Sequence, residues 1–320
     1  MDHLKIMFFG TSEFAVPILE ALVKTIKPDI TVVTAQDKPV GRKQVLTPSP
    51  VKEFARKHGI PTLQPKDVKD PQALEAIKGK NPDLIIVAAY GKILPKEIVE
   101  LPPYGSLNIH PSLLPKYRGP SPIQTAILNE EKKTGITIIL MDEKIDHGPV
   151  LNQEAWMIKK NSTFKDLSAE LAKIGAELLL KTLPSWINGE IKTRKQKEAE
   201  AVYTKILRKE DGKIDWGESA SRIESRIRAF EPWPSAYTRF KNIDNRFNVL
   251  KVLKGFVLKQ TDIGPFGASG KTFLAPDDQI AVQTGKDFLV IERLQLEGKK
   301  PMNTEDFIRG HRNFVGVILE

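Results

Sequence analysis

Five apolar runs recur within the first 141 residues: LKIMFFG (4–10), ITVVTA (30–35), DLIIVAAYG (83–91), SLNIH (106–110) and GITIILM (135–141). They are continuous, not alternating, which is the pattern of strands buried on both faces. Helical patterns lie between them. EFAVPILEALVK is apolar at helical spacing, PVKEFARKHG reads as a helix ending at Gly59, and KEIVEL and PIQTAILNE continue the alternation. Strands separated by helices predict an α/β class chain with a doubly wound, mostly parallel sheet. Ligands bind such sheets beyond the carboxyl ends of the strands, so chemistry belongs at the ends of DLIIVAAYG and SLNIH. A long amphipathic helix from Thr163 to Leu183 is expected to close this layer, stopping before Pro184 and the turn signal NGE.

The texture then changes. IKTRKQKEAEA (191–201) is polar, charged and almost free of large apolar residues. After it comes one amphipathic helix, ASRIESRIRAFEP, followed by short apolar segments with turns: AYTRF, NVLKVLKGFVL, KTFLAP, IAVQTG and FLVIERLQLEG. This predicts three parts: a first domain over 1–190, a linker over 191–207, and a small C-terminal β-barrel of the oligonucleotide-binding (OB) type over 208–320. With 320 residues, 40% of them hydrophobic, there is material for two cores. The chain has no cysteine, which excludes disulfides, thiolate zinc sites and a cysteine nucleophile. The N-terminal apolar run is too short for a signal sequence and no stretch reaches membrane-spanning length, so the expectation is a cytoplasmic protein without a membrane partner. In the absence of heptads, a monomer is the default. A net charge of +9 favours a polyanionic partner, although many basic proteins bind no nucleic acid.

The stretch richest in chemistry is SLNIHPSLLPKYRGPSP (106–122), followed by MDEKIDHGPVL (141–151). Asn108 and His110 are two apart, so on a strand they share one face. Pro111 favours extended backbone at His110. Asp146 follows the GITIILM strand. An amide, an imidazole and a carboxylate can thus meet at one sheet edge, a workable acyl-transfer site with no protein nucleophile. Asn108 and a protonated His110 would stabilise an oxyanion, and Asp146 would orient His110 and shuttle the proton. Taken singly, Asn-x-His at a strand end and Asp near Gly read more often as turn chemistry; the combination is what points to catalysis.

DKPVGRKQVLTPSPVK (37–52) interrupts the early sheet with a basic loop. Two readings stand: a solvated flexible loop, or one whose Arg42 and Lys43 contact a nucleic-acid acceptor stem. Two other motifs are set aside. GASGKT (267–272) lacks the first glycine of a phosphate-binding loop, since Pro265 stands there, and FLAPDD after it is no helix. FFGTSEFA lacks the later glycines of a dinucleotide fingerprint. His3, His58 and His311 read as surface residues, and His147 receives no role.

NIHPSLLPKYRGPSPIQ and TGITIILMDEKIDHGPVL together resemble the core of the folate-dependent formyltransferases, and FFGTSEFA, FEPWPSAYT and LQLEGKKPMNTEDFIRG resemble further segments of the tRNA-acting members. The resemblance covers nearly the whole chain. It implies that Asn108, His110 and Asp146 are a catalytic trio and that Ser112, Leu113, Leu114 and Pro115 bind folate. It implies 10-formyltetrahydrofolate as formyl donor, no metal, and transfer to the α-amine of initiator methionyl-tRNA for translation initiation. Arg42 matches the arginine of an inserted tRNA-binding loop, and the barrel matches the C-terminal domain of those members. The chain departs from that pattern at His147, where many relatives carry Thr, at Ser235, where Gly is usual, and in having fewer basic residues after Arg42. Rival readings are a formyltransferase for a sugar nucleotide or other small amine, a 10-formyltetrahydrofolate hydrolase, and a catalytically dead nucleic-acid-binding protein.

Overall fold

The computed structural model describes residues 4–26, 28–41, 44–241, 246–260 and 267–320. It divides into two compact units. The first comprises 1–122, 133–158 and 167–205, and the second comprises 123–132, 159–166 and 206–320.

The first unit is built on β1 (Lys5–Gly10), α1 (Ala15–Thr25), β2 (Asp29–Val33), β3 (Lys38–Val40), β4 (Val45–Thr47), α2 (Pro50–Lys57), β5 (Thr62–Leu63), α3 (Pro71–Lys78), β6 (Leu84–Ala88), α4 (Lys96–Val99) and β7 (Ser106–His110). Next come α5 (Pro122–Leu128), which belongs to the second unit from Ile123 onward, then β8 (Lys133–Leu140), β9 (Val150–Met157) and α6 (Phe164–Ile187). Seven strands form one sheet in the order β5-β2-β1-β6-β7-β8-β9. Pairing is parallel from β5 to β7 and antiparallel at β7/β8 and β8/β9. All five expected apolar runs are strands of this mostly parallel sheet. Its central strands are dry on both sides, β6 being buried at every position.

One face of the sheet carries Met7, Phe9, Val33, Ile85 and Val87, packed with Ile77, Ile98 and Val99 of α3 and α4. On the other face α6 comes close to the strands at Gly175, where an added Cβ would lie 3.0 Å from Ile109 and 3.6 Å from Ile136. Alternation along β7 therefore puts Ser106, Asn108 and His110 on the α4 side. Ser106 confirms the side by donating its hydroxyl to the Val99 carbonyl at 2.7 Å.

Three features depart from the sequence reading. The loop at 37–52 contains a two-stranded hairpin, β3 with β4. The long helix does not stop before Pro184 but runs through it to Ile187. Proline there forfeits one hydrogen bond. The turn is held nonetheless, because the Trp186 indole donates to the Tyr104 carbonyl at 2.8 Å and Asn188 N–H bonds the Pro184 carbonyl at 3.1 Å. Finally, residues 191–205 belong to the first unit and are tied into it by backbone hydrogen bonds, with Arg194 paired to Val150 and Val202 and Thr204 paired to the chain around Arg118.

The second unit adds α7 (Ala220–Phe230), β10 (Ala236–Lys241), β11 (Phe247–Leu258), β12 (Thr272–Leu274), β13 (Ile280–Gln283), β14 (Phe288–Leu296), β15 (Met302–Asn303) and α8 (Thr304–Gly310). The strands are antiparallel in the order β10-β11-β14-β13-β12. The chain end joins the two edges of this sheet. Leu319 N–H bonds the Gly270 carbonyl beside β12, and Glu320 exchanges both backbone bonds with Arg239 of β10. The sheet thereby closes on itself around Ile223, Ile227, Leu250, Leu289, Phe307 and Phe314. Ser235, standing where glycine is usual, keeps a left-handed backbone at φ 69°, and its hydroxyl donates to the Pro232 carbonyl at 2.7 Å. Among the described residues no helix is long and apolar enough to cross a membrane.

The antiparallel edge of the first sheet tolerates no side chain at Gly135. A Cβ there would lie 2.1 Å from the Glu154 backbone oxygen and 2.6 Å from Leu113 Cδ2. Gly135→Ala is expected to cost about 1–3 kcal/mol, as overpacking of a tight core does. The check is the unfolding midpoint in denaturant; an unchanged midpoint contradicts this packing.

Candidate active site

The site lies at the carboxyl end of β7. Its register is set on both sides, since Asn108 sits opposite Val87 of β6 and Ile139 of β8, and His110 opposite Thr137. Asn108 donates through Nδ2 to Asp146 Oδ1 at 2.9 Å. His110 Nδ1 lies 3.5 Å from Asp146 Oδ2, an ion-pair distance and not a tight hydrogen bond. Gly119 N–H donates to the same Oδ2 at 2.7 Å. The three residues expected at this edge are therefore together, around one carboxylate whose side chain is 12% exposed.

The far side of the imidazole is also engaged. His110 Nε2 lies 2.9 Å from the Tyr117 carbonyl, which can only accept, so Nε2 carries a hydrogen and Nδ1 faces the carboxylate. No second hydrogen bond engages the Asn108 amide among the described residues, which leaves one N–H for an incoming oxygen.

Asp146 follows the GITIILM strand, as the sequence indicates, but six residues beyond its end. It stands in the turn between β8 and β9 at φ 48°, a left-handed conformation that Asp tolerates better than most residues. Gly148 makes that turn possible, because a Cβ there would lie 1.8 Å from the Leu140 carbonyl oxygen. The Gln196 amide donates to the carbonyls of both Asp146 and Gly148, each at 2.8 Å. Beside it Arg118 is fully buried, bonded to Gln196 Oε1 at 3.1 Å, to the Glu198 carboxylate at 3.0 Å and to the Tyr203 hydroxyl at 2.8 Å. Burial works against its charge, but the bonds to Tyr203 and Glu198 outweigh it and the guanidinium holds its proton more tightly than usual. His147 accepts no role in the trio; its Nδ1 pairs with Asp142 at 2.6 Å.

The segment 112–115 forms a rigid shelf next to His110. Ser112 is fully buried and donates to the Lys116 carbonyl at 2.6 Å, while Thr137 donates to the Ser112 carbonyl at 2.6 Å. Leu114 N–H bonds Thr137 Oγ1 at 3.1 Å, and its side chain packs with Ile139 and Val150. The side chains of Ser112 and Leu114 thus face the protein interior, and Leu113 and Pro115 are half-buried.

Arg42 and Lys43 lie outside the described residues. The hairpin that precedes and follows them exposes Val45 and Leu46 at 59% and 68%. Its base is pinned by Asp37, which accepts from Lys52 Nζ at 2.8 Å and from Gln64 at 2.9 Å. The Lys52 hydrogen bond, then that of Gln64, holds the Asp37 carboxyl below its ordinary range. Among the described residues no three His, Cys, Asp or Glu side chains converge as a metal site.

Sequence reasoning missed Arg118, Gly119 and Gln196. An arginine and a glycine inside KYRGPSP, directly after the His-bearing strand, were a signal for the first two. Gln196, in a run of charged residues, offered none.

Residues 4–183 match the family model described as formyl transferase, and residues 206–312 match that of the formyl transferase C-terminal domain. A methionyl-tRNA formyltransferase of Citrifermentans bemidjiense is 41% identical over 319 residues, 100% of this chain and 97% of that protein. One from Caldanaerobacter subterraneus is 42% identical over 318 residues, 99% of this chain and 100% of that protein. Among solved structures, an N-formyltransferase of Helicobacter canadensis in complex with folinic acid and dTDP-3-aminofucose superimposes with a TM-score of 0.62 at 21% identity, over 90% of this chain and 98% of that one. HypX of Aquifex aeolicus in complex with tetrahydrofolic acid gives 0.64 at 17% identity, over 98% of this chain and 48% of that one. At such identities the two structures speak for the fold alone. With both domain models matched in order and 41% identity from end to end, the chain belongs to the formyl transferase family, among the methionyl-tRNA formyltransferases.

Proposed function

We propose that this enzyme transfers a formyl group from 10-formyltetrahydrofolate to the α-amine of initiator methionyl-tRNA, working as a monomer in the cytoplasm. The observation that carries the chemistry is the Asp146 carboxylate gathered between Asn108 Nδ2, Gly119 N–H and His110 Nδ1. The amine attacks the formyl carbon, and the carbonyl oxygen becomes an oxyanion. Asn108 donates its remaining N–H to that oxygen. The imidazole of His110 donates as well, once the substrate oxygen takes the place of the Tyr117 carbonyl at Nε2. Asp146 takes the proton from the attacking nitrogen, directly or through water, and the proton returns to the folate nitrogen as the old carbon–nitrogen bond breaks. Each such donor is worth about 10²–10³ in rate, and each proton transfer about 10²–10⁴.

Residues 112–115 serve as the backbone shelf of the folate pocket in this reading, with Leu113 and Pro115 the side chains able to touch the ligand. Arg42 and Lys43 contact the acceptor stem. The exposed hairpin around them and the net charge of +9 support that role. Full-length similarity to the tRNA-acting relatives, at about twice the identity shared with the sugar-acting structure, favours an aminoacyl-tRNA acceptor over a sugar amine.

Three outcomes test this. Asp146→Asn and His110→Ala should each lower single-turnover formyl transfer by about 10²-fold or more while tRNA binding holds, because both act on the reacting atoms; near-wild-type rates in either remove the assignment. Arg42→Ala should weaken kcat/KM for methionyl-tRNA with folate affinity unchanged, and equal losses in both would make the loop structural. Labelled formyl donor offered with methionyl-tRNA, sugar amines or water should deposit label on the aminoacyl ester; free formate or a formylated sugar would support the rival activities.

A further inference from the structure

We propose that Gln196 is a positioning residue for the transfer reaction, locking the turn that presents the Asp146 carboxylate. The inference rests on the role given to Asp146 above. Gln196 is half-buried in a segment whose immediate neighbours Lys195 and Lys197 are exposed. Its amide is fully used: Nε2 donates to the carbonyls of Asp146 and Gly148 at 2.8 Å each, and Oε1 accepts from Arg118 Nε at 3.1 Å.

The turn needs such an outside partner. Asp146 holds a left-handed backbone at φ 48°, and the carbonyls of residues 146 and 148 converge on one point. Two like dipoles aimed at one spot repel unless a donor stands between them. An amide supplies both N–H groups from one atom and remains neutral. A lysine or arginine would donate too, but it would set a second cation beside the buried Arg118. A glutamate would accept from Arg118 and offer nothing to the carbonyls.

Arg118 ties the same device to the carboxylate itself. Its own N–H and carbonyl pair with Val202 at 2.8 Å and Thr204 at 2.7 Å, and the next residue, Gly119, donates its N–H to Asp146 Oδ2 at 2.7 Å. Gly119 cannot carry a side chain, since a Cβ would lie 2.9 Å from Thr204 Oγ1 and 3.0 Å from its carbonyl. The strap 194–204 therefore reaches Asp146 twice, at the backbone through Gln196 and at the carboxylate through Arg118 and Gly119. Together these contacts set where Asp146 points.

The test is a rate cycle on the full-length enzyme, with saturating 10-formyltetrahydrofolate and methionyl-tRNA. Gln196→Leu is expected to lower kcat by about 10²-fold, the scale of a displacement of roughly 1 Å at a reacting group, with KM for both substrates little changed. Combined with Asp146→Asn, it should cost no more than about twofold further, because its effect passes through that carboxylate. Gln196→Glu keeps the volume and the Arg118 contact but lacks both N–H groups, and it should behave like Gln196→Leu; it decides the matter if the leucine variant fails to fold. An unchanged kcat in Gln196→Glu, or an equal loss with and without the Asp146 carboxylate, overturns the proposal. If Asp146→Asn itself retains full activity, the reading of the site fails, which is a different result from a failure of Gln196 alone.

Discussion

A mostly buried carboxylate held by two donors, with an imidazole beside it, is the interaction on which the rest of this structure depends. The Asp146 side chain is only 12% exposed, and a carboxylate so placed is costly unless its oxygens are occupied. Here Oδ1 receives Asn108, and Oδ2 receives Gly119 with His110 nearby. The two donors come from a strand and from the loop after it, and the imidazole at the end of that strand lies 3.5 Å away. A carboxylate bonded from two elements at once has little freedom left, and fixed orientation is what the proposed proton transfer needs.

Much of the first unit exists to keep those partners in place. β7 is locked by parallel pairing to β6 and antiparallel pairing to β8, so a slip of one residue would turn Asn108 and His110 to the α6 side. Antiparallel pairing at β7/β8 places Leu140 opposite Leu107, so the β8–β9 turn starts beside the beginning of β7 and reaches back along the strand to bring its carboxylate to Asn108 and His110. Asp146 rides on that turn. Gly148 lets the chain approach itself closely there, Gly135 does the same near the start of β8 against Glu154, and the shelf 112–115, tied to Thr137, buttresses His110 from the adjoining loop.

Much of this was legible from residues. Apolar runs without alternation announced buried parallel strands, and two-residue spacing put Asn108 and His110 on one face. What spacing did not reveal was how Asp146 reaches them, because a left-handed turn leaves no periodic trace and is legible only through Gly148. Pro184 misled because its missing N–H is offset by the tertiary anchor of Trp186, which no local pattern records. Residues 191–205 look like a solvated connector because their partners, Pro115, Arg118, Val150 and the Asp146 turn, are distant in the chain and leave no trace in the local composition. Gln196 was hidden for that reason. The inward orientation of Ser112 and Leu114 was equally out of reach, since it follows from Thr137 and Val150, each distant in the chain.

In the proposed reaction Asn108, His110 and Asp146 act as one unit organised by the carboxylate, and residues that act as a unit lose their effects non-additively. The most direct measurement is therefore the single-turnover rate of the Asn108→Ala, Asp146→Asn double variant beside the two single variants. A double variant little slower than the slower single variant is the expected result. Losses that multiply, as for independent sites, would contradict it.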